Sequence, residues 1–345
     1  MTTLRHARVA GVGSALPGRI VPNLHFESIV ETDDQWIRER TGIENRRFAE
    51  EGDTTSTLAA EATARALEAA NIPAESVDLL ILATTTPDRP IPAAAAFVQN
   101  HLGMTCPGFD LNAACAGFVY GLSVGAAQIR AGAAERVVVA GAEVLSRHLN
   151  MADRTTCVLF GDGAGAVVLV PGDEPGVIDS RLALDGRHRH NITQPAGGTE
   201  EPTTEEVVRA ARNKIRMEDG PTVFREAVIG MATASEELLQ KAGVSPSEVD
   251  WIIAHQANAR ILASVGRRLG VDPDRVVIDI ADVGNTSAAS IPIALDRAWR
   301  AGKLEPGHLI LTTAFGGGFA WGANLLRWTA PRPDGNHTEG HSADG

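Results

Sequence analysis

Apolar residues along this 345-residue chain fall into short continuous runs separated by stretches of helical composition, and one succession of the two occurs twice. Residues 57–70 have helix composition, Asn71-Ile72-Pro73 interrupts them, and the run VDLLILAT follows at 77–84. Far downstream, 224–242 read as a helix, Gly243-Val244-Ser245-Pro246 turns the chain, and VDWIIAH occupies 249–255. Both successions predict a helix, a tight turn and a strand apolar enough to be buried on both faces. A second pair supports the first. IRAG at 129–132 leads to VVVAG at 137–141, and WRAG at 299–302 leads to HLILT at 308–312. The members of each pair stand about 170 residues apart, near half the chain. Helix–turn–strand units look alike in any α/β protein, but two pairs at one spacing favour duplication. Alternating helices and apolar strands in each half predict mixed sheets with helices packed between them. A boundary is expected near 171–176. The polar 187–220 segment, with QPAGGTEEPTTEE and then a basic run, is too long for a simple connector. It reads either as a cover over substrate or as a tolerated surface insertion.

Composition narrows the class without naming a chemistry. Hydrophobic content of 44% and charged content of 21% are ordinary for a globular protein, and glycine-rich, aromatic-poor usage suits packed α/β layers. A formal net charge of −12 argues against a nucleic-acid partner, which calls for a basic face. No run of eighteen apolar residues predicts a membrane span, and the first residues, MTTLRHARVAGVGSALPG, are unlike a secretory signal. Residues 331–345 form a polar Pro/Gly/His/Asp tail expected to be disordered. Cys106, Cys115 and Cys157 show no CxxC pair and no histidine at metal spacing, so no metal site is expected. An odd, sparse set suggests reduced thiols in a cytoplasmic protein.

Four places could carry chemistry. In LNAACAGFVYGL, residues 111–122, Cys115 lies among small residues where an apolar strand meets a run of helical length. A thiol in the first turn of a helix is expected to have a lowered pKa; a small buried hydrophobe is the equal alternative. Cys106 precedes Pro107 and Cys157 lies in a strand-like run, so both read as buried hydrophobes. His255 ends the repeated strand in IIAHQANARI, where α/β proteins place reactive groups, although a lone histidine is more often structural. Asn285 in GNTSAASIPIAL opens another small-residue helix and, seen alone, is better explained as a turn former or cap. AFGGGFAWG, residues 314–322, is a glycine loop whose N–H groups could meet an oxyanion, while the phosphate-loop pattern is absent. GDGAGA at 161–166 precedes a strand rather than a helix, and so fails as a dinucleotide fingerprint.

Taken in order, DDQWIRERTGI, AACAGF, LFGDGAGA, HQANARI, GNTSAAS and AFGGGFAWG resemble the β-ketoacyl-acyl-carrier-protein synthase III family from about residue 5 to 328. The resemblance implies an α/β thiolase fold of two pseudo-symmetric βαβαβαββ halves in a five-layered α-β-α-β-α arrangement. The halves would span 1–175, with the nucleophile, and 176–330, with His255 and Asn285, ahead of the tail at 331–345. It also implies a homodimer and a cytoplasmic, cofactor-free acyltransferase whose substrates are acyl-CoA and malonyl-acyl carrier protein. Related thiolases carry a second cysteine in the late glycine loop; this loop has none, which suits the decarboxylating Cys-His-Asn branch. By the same analogy Cys115 is acylated, and backbone N–H groups of Cys115 and Gly317 form the oxyanion hole. His255 and Asn285 stabilise the enolate. Trp36, Arg40, Arg154 and Asn258 match CoA-binding positions, Ile91, Phe224 and Phe315 match acyl-pocket positions, and Arg225 and Arg260 match positions that meet the carrier. Ile91 stands where acetyl-preferring relatives have a bulky aromatic, which implies room for longer primers. Rival readings are transfer of the acyl group to an alcohol or amine, thioester hydrolysis, and a non-enzymatic carrier-binding subunit.

Overall fold

In the computed structural model the described residues are 5–332, so the expected tail lies outside them beyond Arg332. Strands β1 (His6–Ala15), β2 (Leu79–Ala83), β3 (Gly108–Leu111), β4 (Val137–Glu143) and β5 (Gly163–Gly172) form one sheet in the order β1-β5-β4-β2-β3. Strands β6 (Val177–Leu184), β7 (Trp251–Ala254), β8 (Leu309–Gly316) and β9 (Ala320–Arg327) form another, in the order β6-β9-β8-β7. A parallel bridge from Ile252 to Val276 extends the second sheet past β7. Each half thus arranges its strands alike: first, last, last but one, second, third. Directions agree as well. β2 runs parallel to β3 and β4, as β7 runs parallel to β8 and the Val276 segment, and the remaining neighbours are antiparallel.

The shared Val-Asp that opens both apolar runs has a shared cause. Asp78 Oδ2 accepts from Arg136 N at 2.8 Å, and Asp250 Oδ2 accepts from Leu309 N at 2.8 Å. Each carboxylate therefore ties its strand to the start of its parallel neighbour, and the regular strands begin one residue further on. Helices α1 (Thr55–Ala70), α2 (Ala94–Leu102), α3 (Gly117–Arg130), α4 (Gly220–Ala242), α5 (Ala259–Leu269) and α6 (Ser290–Arg300) complete the layers. α1 and α2 cover the outer face of the first sheet, α4 and α5 that of the second, and α3 and α6 touch both sheets from between them. The result is α-β-α-β-α, with one apolar core in the shared middle and one beneath each outer helix pair.

Local signals set the helix starts. Thr54 and Thr57 form a reciprocal capping box at α1, a device worth about 1 kcal/mol. α4 begins four residues before the expected 224, because Asp219 caps it and Pro221 fits its first turn. Among the described residues no helix is long and apolar enough to cross a membrane.

Candidate active site

Two strand-to-helix turns, one from each half, meet in the middle layer. After β3, Asn112 Oδ1 accepts from Ala114 N at 3.1 Å, Ala114 adopts φ 48°, and a 3₁₀ turn at Ala114–Ala116 runs into α3. In the second half, Asn285 Oδ1 accepts from Ser287 N at 2.9 Å, Ser287 adopts φ 51°, and a 3₁₀ turn at Ser287–Ala289 runs into α6. Their approach requires glycine. A Cβ on Gly141 would come within 2.3 Å of Ala288 O, and one on Gly316 within 2.5 Å of Cys115 N. Ser287 Oγ consequently lies 3.4 Å from Cys115 Sγ.

His255 continues β7 and is buried; its Nδ1 is 2.7 Å from Ser290 Oγ, at the start of α6. Ser290 Oγ also accepts from Gln256 N at 3.3 Å. In the tautomer where the Ser290 hydroxyl donates to Nδ1, the ring proton sits on Nε2 and makes that nitrogen a donor. Burial holds the imidazole down to about 3, so it is neutral at working pH. Asn285 is a turn former and a cavity residue at once. With Oδ1 engaged by Ser287 N, its amino group is the part left for the cavity. Its backbone is held by the other half, through Asn285 N to Leu159 O at 2.9 Å and Gly161 N to Asn285 O at 3.0 Å.

The cysteine differs from expectation. Cys115 is half-buried and opens onto the cavity, but protein encloses the sulfur closely enough that desolvation pushes the thiol up to about 11. Glu143 adds to the rise, and the Ser287 hydrogen bond opposes it. Enclosure thus works against the thiolate that a position at the head of α3 favours. Cys106 and Cys157 are buried, as their sequence contexts suggest.

A cavity of about 570 Å³ joins Cys115, His255, Asn285 and Ser287, and Gly317 also lines it. Phe224 and Phe315 form part of its wall. The 187–220 segment supplies Arg189, Ile192, Thr193, Gln194, Ile215 and Met217 to the same lining, which makes it a cover rather than a neutral insertion. None of these residues was singled out by sequence, since the segment has no periodicity to mark an inward face. At the rim, Asn258 lines the cavity, donates from Nδ2 to Arg40 O at 2.9 Å and caps α5 through Arg260 N. Trp36 lies beyond it, with the Arg40 and Arg154 guanidinium carbons 5.4 Å and 4.9 Å from its ring centroid. These three residues form a cluster outside the cavity lining. Arg260 stacks 5.6 Å from the Phe224 ring, and exposed Arg225 pairs with Glu226 at 3.0 Å. Ile91 is the exception: it is 85% exposed and absent from the lining of its own chain's cavity.

Comparisons with known proteins agree along nearly the whole chain. Residues 109–186 match the 3-oxoacyl-[acyl-carrier-protein] synthase III family model, and 239–328 match the model for that family's C-terminal region. The chain is 48% identical over 328 residues to a β-ketoacyl-[acyl-carrier-protein] synthase III of Rhizorhabdus wittichii, covering 94% of this chain and 100% of the relative. It is 49% identical to β-ketoacyl-[acyl-carrier-protein] synthase III 3 of Streptomyces coelicolor, covering 95% and 99%. The crystal structure of the Pseudomonas aeruginosa 3-oxoacyl-(acyl carrier protein) synthase III superposes with a TM-score of 0.88 at 40% identity, covering 95% of this chain and 100% of that one. The priming β-ketosynthase of the R1128 polyketide pathway superposes with a TM-score of 0.89 at 35% identity, covering 96% and 98%.

Proposed function

The chain belongs to the 3-oxoacyl-[acyl-carrier-protein] synthase III family, and on that premise we infer that it condenses an acyl-CoA with malonyl-acyl carrier protein, giving 3-oxoacyl-acyl carrier protein and carbon dioxide. Such a reaction begins fatty-acid or polyketide chains. One observation carries the assignment of roles: a thiol and two neutral hydrogen-bond donors, brought from opposite halves, share one enclosed cavity.

In the first half-reaction the Cys115 sulfur attacks the acyl-CoA carbonyl, and backbone N–H groups of Cys115 and Gly317 hold the oxyanion. The C–S bond to CoA breaks, and the departing thiolate takes up a proton equivalent to the one Cys115 released. In the second, malonyl-carrier protein loses carbon dioxide, and the electrons of the broken C–C bond form an enolate. His255 Nε2–H and Asn285 Nδ2–H donate to the enolate oxygen. Neutrality suits them, because a donor without a formal charge stabilises the developing anion without first gaining a proton. The enolate carbon attacks the acyl-enzyme, Cys115 thiolate leaves, and a proton restores the thiol.

Trp36 with Arg40 and Arg154 would take the adenine end of CoA, and Asn258 would orient the chain entering the cavity. Arg225 and Arg260 stand beside Phe224 at the mouth, where an acidic carrier would dock. We extend the reading to a homodimer. β3 is the free edge of its sheet, Phe109 on it is 40% exposed, and Ile91 projects near this half's surface. In that arrangement Ile91 would border the partner's acyl channel, and Ile91→Phe should narrow the range of accepted primers.

Intact-mass analysis after exposure to acetyl-, propionyl-, isobutyryl- and longer acyl-CoAs tests the reading. An acyl adduct mapped to Cys115, transferred to malonyl-carrier protein as a 3-oxoacyl product, is expected. Adducts on Cys106 or Cys157, or free acid as the product, would overturn it.

A further inference from the structure

The cavity wall holds polar groups that the steps above do not use. Thr85 and Thr86 line it but spend their hydroxyls on the buried Glu143 carboxylate, at 2.9 Å and 2.8 Å. His148 and Gln194 are different. His148 ends the turn Leu145–His148 that follows β4, and Gln194 comes from the cover, just past the short antiparallel pair Ile192–Thr193 and Arg216–Met217. Their neighbours Leu145, Ile192 and Ile215 bring apolar side chains to the same lining. The His148 backbone is pinned independently of its ring, since its carbonyl accepts from Ile215 N at 2.9 Å.

His148 Nδ1 lies 2.9 Å from Gln194 Oε1, and Gln194 Nε2 donates to Ala196 O at 3.3 Å. The second bond fixes which end of the amide faces the ring. An amide oxygen only accepts, so Nδ1 carries a hydrogen. Desolvation lowers the ring's pKa, with Lys214 and Arg147 adding to the fall and Gln194 and Asp162 opposing it. The ring is therefore neutral at working pH, and Nε2 keeps its lone pair. Among the described residues no donor meets that nitrogen. An alkyl chain laid against it would leave a desolvated acceptor unpaired, which weakens binding. Arg189 lines the same cavity without a carboxylate partner among the described residues, but it is exposed, so water serves its donors. An acyl chain ending in a carboxylate would suit Arg189 and set its oxygens against Nε2.

We propose that the cavity selects acyl-CoA primers bearing a hydroxyl group, which donates its hydrogen to His148 Nε2. The inference rests on the synthase reading above and names the class of primer for that same site. A site that pairs with a substrate hydroxyl discriminates against the chain that lacks it, because its own polar group is then left unpaired. Gln194 touches no substrate in this scheme. It is a positioning residue that keeps the ring proton on Nδ1 and so leaves the acceptor for the acyl group.

The test measures single-turnover acylation of Cys115, and binding of the same thioesters to Cys115→Ala, with hydroxyacyl-CoAs and alkyl isosteres. The pairs are 3-hydroxybutyryl and 3-methylbutyryl, 4-hydroxybutyryl and pentanoyl, and 5-hydroxypentanoyl and hexanoyl, with succinyl-CoA as the carboxylate. The hydroxyacyl group whose length reaches Nε2 should be favoured about tenfold over its isostere in both measurements. His148→Phe keeps the ring's bulk and should reverse that order. Gln194→Leu should shrink the preference to about threefold and leave alkyl acylation within about twofold, whereas a merely structural role would lower both substrates alike. Absence of a hydroxyl preference at all three lengths overturns the proposal, as does a preference that survives His148→Phe. Tighter binding of succinyl-CoA than of every hydroxyacyl-CoA overturns it in favour of Arg189. Equal loss of hydroxyacyl and alkyl binding in His148→Phe also overturns it, by assigning the imidazole to the pantetheine arm that all these thioesters share. If His148→Phe does not fold, the wild-type preference and Gln194→Leu decide. Failure of the wild type to accept any acyl group would count against the synthase reading instead, and the binding series would still judge the hydroxyl preference.

Discussion

Asn112-Ala113-Ala114-Cys115 and Asn285-Thr286-Ser287-Ala288 are two copies of one turn. Each has an asparagine whose Oδ1 accepts from the backbone two residues on, a non-glycine residue at positive φ, and a 3₁₀ turn feeding a central helix. Where the first copy carries the Cys115 thiol, the second carries the Ala288 methyl. Where the first has Ala114 at positive φ, the second has Ser287 with its hydroxyl toward the sulfur. The same backbone device therefore serves two ends. In one half it presents a nucleophile, and in the other it aims an amide and a hydroxyl at that nucleophile. A left-handed alanine or serine costs roughly 1–2 kcal/mol, and both turns bear it.

The sharpest break in this comparison is Cys115→Ala, which makes the first turn as inert as the second. Loss of a nucleophile that acts within a unit costs on the order of 10⁴-fold or more, so acylation measured by mass should vanish with Cys106 and Cys157 still present. Next come the two asparagines. Asn285→Ala removes a cavity donor, and carbon-dioxide release should fall about 10²–10³-fold. Asn112 also lines the cavity, but its Oδ1 is spent on Ala114 N; Asn112→Ala should lower the unfolding free energy by about 1 kcal/mol and slow decarboxylation per folded molecule far less than Asn285→Ala does. Acidity separates the halves in a different way. Because His255 ionises near 3 in the folded protein, decarboxylation by acyl-enzyme should hold steady as pH falls from 7.5 to 5. Its stability contribution runs the other way: the unfolded chain takes up this proton near 6.5, so stability drains as pH falls from there toward 3. A smaller effect is expected at the mouth. Arg225→Glu and Arg260→Glu should each raise the KM for malonyl-carrier protein several-fold in a salt-sensitive way, since exposed pairs are worth about 0.2–1 kcal/mol, while acylation from acyl-CoA persists. Least of all, Ala114→Gly should raise the melting temperature by a few degrees at most, through relief of positive φ.

Much of the architecture was legible because its causes are local. The Val-Asp runs declared their strands, and Asp78 and Asp250 explain why both runs begin alike. Small residues around Cys115 and Asn285 marked places where backbones must approach closely. The 187–220 segment resisted reading because its inward residues are scattered among polar ones, and only the fold brings Ile192, Ile215 and Met217 onto one wall. Glu143 left a faint signal, an acid closing the apolar run VVVAGA, but its threonine partners come from a separate strand end. The desolvation of the thiol was illegible for a related reason: a helix start is visible in sequence, whereas Gly316 and Ser287, which close in on Cys115, come from the opposite half.

Asn285 is covalently part of the second half, yet the backbone that fixes it, Leu159 to Gly161, is part of the first. α3 and α6 are likewise shared property, each touching both sheets. Severing the chain between Gly172 and Val177 would leave every strand in its own sheet and still ruin both pieces. Each fragment would expose part of its inner sheet face and one side of its own central helix to water, and would lack one side of the reactive cavity. The two halves that repeat one strand plan are thus inseparable: they should melt in a single transition, and a change in the face of one should register in the other.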